Sequence, residues 1–225
     1  MNMLSKIRNF RLQPIIRLSY GSPNIIAYEM LVNLHNHEVD LEFFFKTLPL
    51  IEFKKLFVFQ SALCSSLNGS FYVNTPLDLL LEHYISGVIY DSNYNRIQPD
   101  KLCIEIQNPC RLLQLSDLDL AELKTEISLL QASGAQVWLD DISETYSSLA
   151  IALGVDGVKL DKTFFWSIDN LFGLQERFNQ QNISVIVEGV ESIEHYNKVA
   201  KSDCILVQGF LWPDIQIDFN GRVSQ

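Results

Sequence analysis

The segment Gln136-Val137-Trp138-Leu139-Asp140-Asp141 is a short apolar run that ends in two adjacent carboxylates. Side chains alternate along a strand, so neighbouring aspartates share one volume only where the backbone starts to turn, at the strand's C-terminal end. Two carboxylates forced together are costly unless a proton or a cation separates them. The chemistry on offer is a divalent-metal site at the mouth of a parallel sheet or barrel. Taken alone, an Asp-Asp pair is more simply a solvated loop, but the pattern recurs. Asn74, Glu105, Lys159, Glu188 and Gln208 each close or nearly close an apolar run, and Glu29 interrupts another between Tyr28 and Met30. A carboxylate within a strand is out of place unless it faces a polar pocket. Four or more carboxylates, an amide oxygen and one ammonium make a hard-oxygen environment suited to one or two Mg²⁺ or Mn²⁺ ions. Two such ions bind a phosphodiester and generate hydroxide for in-line attack. His35 and His37 form an H-x-H pair, but with no third ligand candidate nearby they read as solvated loop residues.

The elements that must position these residues follow from periodicity. Gln13 to Leu18 and Ile25 to Leu34 read as strands joined by a turn holding Gly21 and Pro23, and a connection that short requires antiparallel pairing. Helical spacing follows in 40–48 and 53–67. A strand at 71–73 leads into Asn74, and a helix is predicted over 77–88, then a loop over 90–99. Strands at 101–106, 136–141, 157–161, 183–187 and 204–207 alternate with helices at 115–133, from Ser147, at 168–181 and at 191–200, and the last residues read as a tail. About eight strands, the later six alternating with helices, predict one α/β domain over 1–225: a (β/α)₈ TIM-like barrel with its first strand antiparallel. Barrel active sites form at the C-terminal rim of the strands, where these polar residues fall.

Composition narrows the function classes. The 225 residues are 48% apolar and 20% charged, with a net charge of -10. This is a globular composition whose acidity excludes general affinity for nucleic acid or an anionic membrane. An anionic substrate therefore needs bound cations or a few placed Lys and Arg. Cys64, Cys103, Cys110 and Cys204 are scattered without metal-binding or disulfide spacing, which predicts reduced, mostly buried thiols and a cytoplasmic protein. The sequence shows no secretory leader and no apolar run long enough to span a bilayer.

Eight ordered segments resemble the EAL domain family, bacterial phosphodiesterases that open cyclic di-GMP to linear pGpG. Leu12-Gln13-Pro14-Ile15 resembles the opening YQPI, and Tyr28-Glu29-Met30-Leu31 stands at the E-A-L triplet with Met for Ala. Tyr72-Val73-Asn74 resembles the VN segment and Ile104-Glu105-Ile106 the LEI segment. Leu139-Asp140-Asp141 with Tyr146-Ser147-Ser148-Leu149 resembles DDFGTGYSSL. Val158-Lys159-Leu160-Asp161, Glu188-Gly189-Val190-Glu191 and Val207-Gln208-Gly209-Phe210 resemble LKID, EGVE and VQGY. The resemblance covers about residues 12–213.

It implies roles residue by residue. Glu29, Asn74, Glu105 and Asp140 would hold one Mg²⁺ or Mn²⁺, with Asp140 bridging to a second held also by Asp141 and Glu188. Lys159 would orient and polarise the attacking water, with Glu188 and Glu29 as its catalytic companions. Gln13 and Gln208 would touch substrate or ordered water, and Glu191 and Asp161 would support the rim from behind the ligands. Cyclic di-GMP is the implied partner, with a homodimer as the implied assembly. The sequence departs from the family in the segment Ile142-Ser143-Glu144-Thr145, where FGTG is expected and both glycines are gone. Ser143 and Thr145 are expected to take up the glycine conformations only with strain. Asn108 replaces the glutamate that anchors that loop, and Asn33 replaces an arginine that contacts substrate. Two functions follow: a cyclic di-GMP phosphodiesterase, or an EAL-like regulator that senses the nucleotide or binds a regulatory protein. The retained ligand set favours the first, and the altered loop and missing arginine favour the second.

Overall fold

In the computed structural model, residues 3–19, 23–36, 39–202 and 205–223 are described. Gly21, His37 and Cys204 of the sequence expectations lie outside them. A 3₁₀ turn (Met3–Lys6) leads into β1 (Ile7–Arg17) and β2 (Asn24–Leu34). Then come α1 (Leu41–Lys46), α2 (Leu50–Ser66), β3 (Ser70–Thr75), α3 (Leu77–Leu81), α4 (Tyr84–Tyr90) and β4 (Leu102–Ile106). The chain continues through α5 (Pro109–Leu112), α6 (Asp117–Ala132), β5 (Gln136–Ile142), α7 (Ser147–Leu153), β6 (Gly157–Leu160), α8 (Lys162–Ser167) and α9 (Leu171–Asn179). It ends in β7 (Ser184–Val187), α10 (Ile193–Lys201), β8 (Leu206–Gln208) and β9 (Ile215–Ile217).

Strands β2 to β8 pair in parallel, in chain order. Strand β1 is antiparallel to β2 and also to β8, pairing Ile15 with Gln208 and Arg17 with Leu206, which closes an eight-stranded barrel. The expected (β/α)₈ barrel with a reversed first strand is what forms. The helices cover the outside because their apolar stripes need it; in α6, Leu123, Ile127 and Leu130 are buried at helical spacing, and Ser116 and Asp119 cap its start reciprocally.

Four expectations need correction. The first strand begins at Ile7, six residues earlier than its pattern suggested, because its N-terminal half pairs with β2 beyond the barrel rim. The helix expected over 77–88 is two helices, broken where His83 takes a left-handed conformation (φ 51°). The residues after β8 are no tail: β9 pairs Ile215, Gln216 and Ile217 with Leu12, Arg11 and Phe10, taking up the edge of β1 that β8 leaves open. Ser143 is extended (φ -111°), and Glu144–Tyr146 forms a 3₁₀ turn without any positive φ at Thr145. The strain expected of that loop is absent.

Candidate active site

Period-two alternation builds the site. A cluster separate from the main core takes one buried residue from each of seven strands: Ile15, Ala27, Tyr72, Cys103, Trp138, Ile186 and Leu206. These side chains meet in the barrel interior. Two residues further toward the rim on the same strands stand Gln13, Glu29, Asn74, Glu105, Asp140, Glu188 and Gln208, so the same faces that carry the apolar layer carry the polar one. On β6 the lower position is Gly157 and the upper is Lys159. A Cβ at Gly157 would lie 2.3 Å from the Trp138 ring, so the glycine is the space into which the indole lies.

The two aspartates reach one volume through a bulge, not at a strand end. Pairing between β5 and β6 slips between Leu139 and Ile142, and Asp141 sits in the left-handed region at φ 51°. A bulge puts an extra residue against its partner and re-aims the side chain. Asp140 is buried and Asp141 exposed, yet oxygens of Asp140, Asp141 and Glu188 lie within 4.8 Å of one another.

Lys159 occupies the middle, 1% exposed. Its Nζ lies 2.8 Å from Glu188 Oε1, 2.9 Å from Glu105 Oε1, 3.1 Å from Glu29 Oε2 and 3.3 Å from Asp140 Oδ1. Burial pulls its pKa down, but Asp140, Glu105 and the other carboxylates outweigh that and hold it well above the ordinary lysine range. The ammonium is therefore a permanent donor here, not a base. Glu29 accepts from Asn74 Nδ2 at 2.7 Å, from Gln208 Nε2 at 2.6 Å and from Lys159. Burial raises its carboxyl, but Lys159 and these amide bonds overcome it and keep Glu29 below its usual value.

The other carboxyls go the opposite way. Burial, then Glu29, pushes Glu105 well up. Asp140 is raised by burial against the pull of Lys159. Burial and Asp140 lift Asp141 to about 6, and burial, opposed by Lys159 and aided by Asp140, lifts Glu188 to about 8. One ammonium among five carboxylates leaves a charge deficit that protons or cations must fill. Glu105 Oε2 is buried without a partner, and the buried Glu105 Oε1 and Asp140 Oδ1 meet the shared Lys159 ammonium without hydrogen-bond geometry. Buried anionic oxygens that outnumber the single ammonium around one volume fit divalent cations, whose ligands are of this kind.

The structure brings together all the residues expected at the rim, with differences in how they are engaged. Asn74 turns its nitrogen to Glu29 and its oxygen to Gln107, which donates at 2.8 Å; ligation requires this amide to turn over. Gln208 is buried, and its nitrogen bridges Glu29 and Gln13 while Oε1 stays without a partner. Asp161 caps α8 through Phe164 N and bonds Thr163, and Glu191 lines the same cleft as Asp141, Glu188 and Gln13 without touching the ligand set. Asn108 is exposed and left-handed at the start of α5. Sequence reasoning missed Gln107 and the Trp138–Gly157 floor. The signal for both was there: each lies two residues along the chain from an expected ligand or from Lys159.

Comparison with known proteins agrees with this geometry. The family model for the EAL domain matches residues 5–213. The chain belongs to the EAL domain family. No curated protein matches the sequence. Among solved structures, Klebsiella pneumoniae BlrP1, a complex with calcium and cyclic di-GMP, superposes with a TM-score of 0.78 at 20% identity, over 100% of this chain and 59% of that one. Bacillus subtilis YkuI, with an EAL domain and in complex with substrate c-di-GMP and calcium, gives 0.70 at 16% identity, over 94% of this chain and 56% of that one. The EAL domain of Mycobacterium smegmatis DcpA gives 0.64 at 20% identity, over 90% and 88%. The chain thus spans little more than half the length of the first two. No described helix is long and apolar enough to cross a membrane.

Proposed function

We propose that this chain is a metal-dependent phosphodiesterase that opens cyclic di-GMP to linear pGpG. The observation that carries this reading is the ring of carboxylates crowded around one ammonium, with Glu105 Oε2 buried without a partner. Glu29, Asn74, Glu105 and Asp140 would hold one Mg²⁺ or Mn²⁺, and Asp140, Asp141 and Glu188 a second. Such ions supply Lewis acidity toward the phosphodiester and lower the pKa of water at the site.

The chain's own residues do the rest. Lys159, fixed between four carboxylates, donates to the attacking water and holds it in line. Glu29 fixes Lys159 and is itself held by Gln208, so the donor is pre-set before substrate arrives. Glu188 opens toward the cleft and takes part in proton transfer beside Lys159. Gln13 lines the cleft and would touch substrate, and the buried, unpartnered Oε1 of Gln208 would take an ordered water. Trp138 and Tyr72, ring centroids 5.1 Å apart, seal the floor beneath.

The test incubates the protein with cyclic di-GMP and Mg²⁺ or Mn²⁺ and follows pGpG by chromatography. Turnover with at least one ion, lost on chelation, is expected; no turnover with either at high protein concentration contradicts the reading. In Lys159→Ala, kcat should fall about 10²–10³-fold, the worth of one pre-organised donor, and undiminished turnover would refute its role. A second reading, an EAL-like regulator acting through the nucleotide or a protein partner, is favoured by one feature: the 144–146 turn is tied outward, with Glu144 on Arg177.

A further inference from the structure

The β1–β2 hairpin continues past the carboxylate layer. Beyond Gln13 on the same face of β1 come Arg11 and Asn9, and beyond Glu29 on β2 come Leu31 and Asn33, with Arg11 opposite Leu31 and Asn9 opposite Asn33. Of these six residues Arg11 alone is cationic, and position 33 offers only a neutral amide. An anionic nucleotide over this rim meets one fixed positive side chain on the hairpin.

That side chain is placed by a residue from outside the family match. Arg11 Nη1 donates to Asp214 Oδ2 at 3.1 Å, while Arg11 Nε and Asp214 Oδ1 are buried without a partner. Asp214 precedes β9, and Gln216 Oε1 on β9 accepts from Asn9 Nδ2 at 3.0 Å, while Asn9 Oδ1 accepts from Asn33 Nδ2 at 2.9 Å. The ladder Asn33–Asn9–Gln216 fixes the two strands flanking Arg11. Burial raises the Asp214 carboxyl against the pull of Arg11, and Glu29 adds to the rise, which places the pair within the field of the site. A guanidinium has two edges that can each grip two oxygens. Asp214 engages Nη1 and the unpartnered Nε is buried, so Nη2 is the donor left for an anion.

We propose that Arg11, oriented by Asp214, is a substrate-binding residue that grips a phosphodiester of the cyclic dinucleotide above the carboxylate layer. This inference rests on the cyclic di-GMP reading of the site. It also gives β9 a role, since without Asp214 the guanidinium has no carboxylate to aim it.

The test is calorimetric titration of cyclic di-GMP in the presence of Ca²⁺, with wild type, Arg11→Ala, Arg11→Lys and Asp214→Asn, at two salt concentrations. Mn²⁺ affinity and thermal melting of each variant are measured alongside. Arg11→Ala should weaken nucleotide binding about tenfold to a hundredfold, as expected for a lost charge-assisted bond, and flatten its salt dependence. Mn²⁺ affinity should stay at the wild-type value. Arg11→Lys, which keeps the charge but not the fork, should fall between, and Asp214→Asn should weaken binding less than Arg11→Ala. Wild-type nucleotide affinity in Arg11→Ala or Arg11→Lys overturns this inference alone. So does a loss of Mn²⁺ affinity in step with nucleotide affinity, the mark of a collapsed rim. A wild-type protein that binds no cyclic di-GMP overturns both this inference and the reading it rests on.

Discussion

The barrel interior holds two layers built from the same strands two residues apart, and they behave oppositely. The lower layer is apolar and fills its space: Trp138 lies over Gly157, stacked edge-on against Tyr72. The upper layer is overcharged and undersupplied with donors, with one Lys159 shared among four carboxylates and Glu105 Oε2 buried without a partner. One step of strand pleat separates a region that packs from one whose crowded charges are costly to the fold. The lower layer keeps water from beneath the upper one and so keeps its charges strong.

Substitutions in the two layers should therefore separate activity from stability. Asp140→Asn should cost about a thousandfold in kcat/KM, the rate equivalent of several kcal/mol of ion-assisted stabilisation. In the absence of divalent ions the same change should raise the melting temperature, because it removes one of the crowded charges. A lowered melting temperature in that ion-free state would break the contrast. In the lower layer, Trp138→Ala should cost about 3–5 kcal/mol of stability through the cavity it leaves. Gly157→Ala should cost about 1–3 kcal/mol by overpacking against the indole. Denaturant unfolding measures both, and a Gly157→Ala protein as stable as wild type would show that the indole has room to move.

The smallest effect is the dependence of stability on pH. Glu188 rises from 4.5 to about 8 and Asp141 from 3.8 to about 6 on folding. The folded protein thus keeps protons that the unfolded chain releases. Their stabilisation is complete below about pH 4 and is lost as pH rises through 6 and then 8. Glu29 is lowered and acts only below its ordinary value of 4.5, outside that window. Without divalent ions, melting temperature should fall by a few degrees between pH 5 and 8. The rise produced by Mn²⁺ should be larger at pH 8 than at pH 6, since the ion replaces protons. A rise independent of pH would contradict the coupling.

Much of this was legible in the letters. Polar residues ending apolar runs gave the rim, and alternation of strands with helices gave the barrel. What stayed hidden was non-local. The bulge that swings Asp141 toward Asp140 depends on how β5 meets β6, and nothing at Asp-Asp itself specifies a left-handed residue. Strand β9 is three residues long and becomes a strand only because β8 ends early and leaves the edge of β1 open. Arg11 gains meaning from Asp214, 203 positions away. Loss of both loop glycines suggested strain, but Ser143 simply extends and the chain turns at 144–146 instead.

The central claim, that the upper layer traps divalent cations, is tested most directly by soaking crystals in Mn²⁺ and collecting anomalous diffraction at the manganese edge. Two peaks are predicted, one among Asp140, Asp141 and Glu188 and one beside Glu29, Glu105 and Asp140. An anomalous map empty at these carboxylates under saturating Mn²⁺ would contradict it.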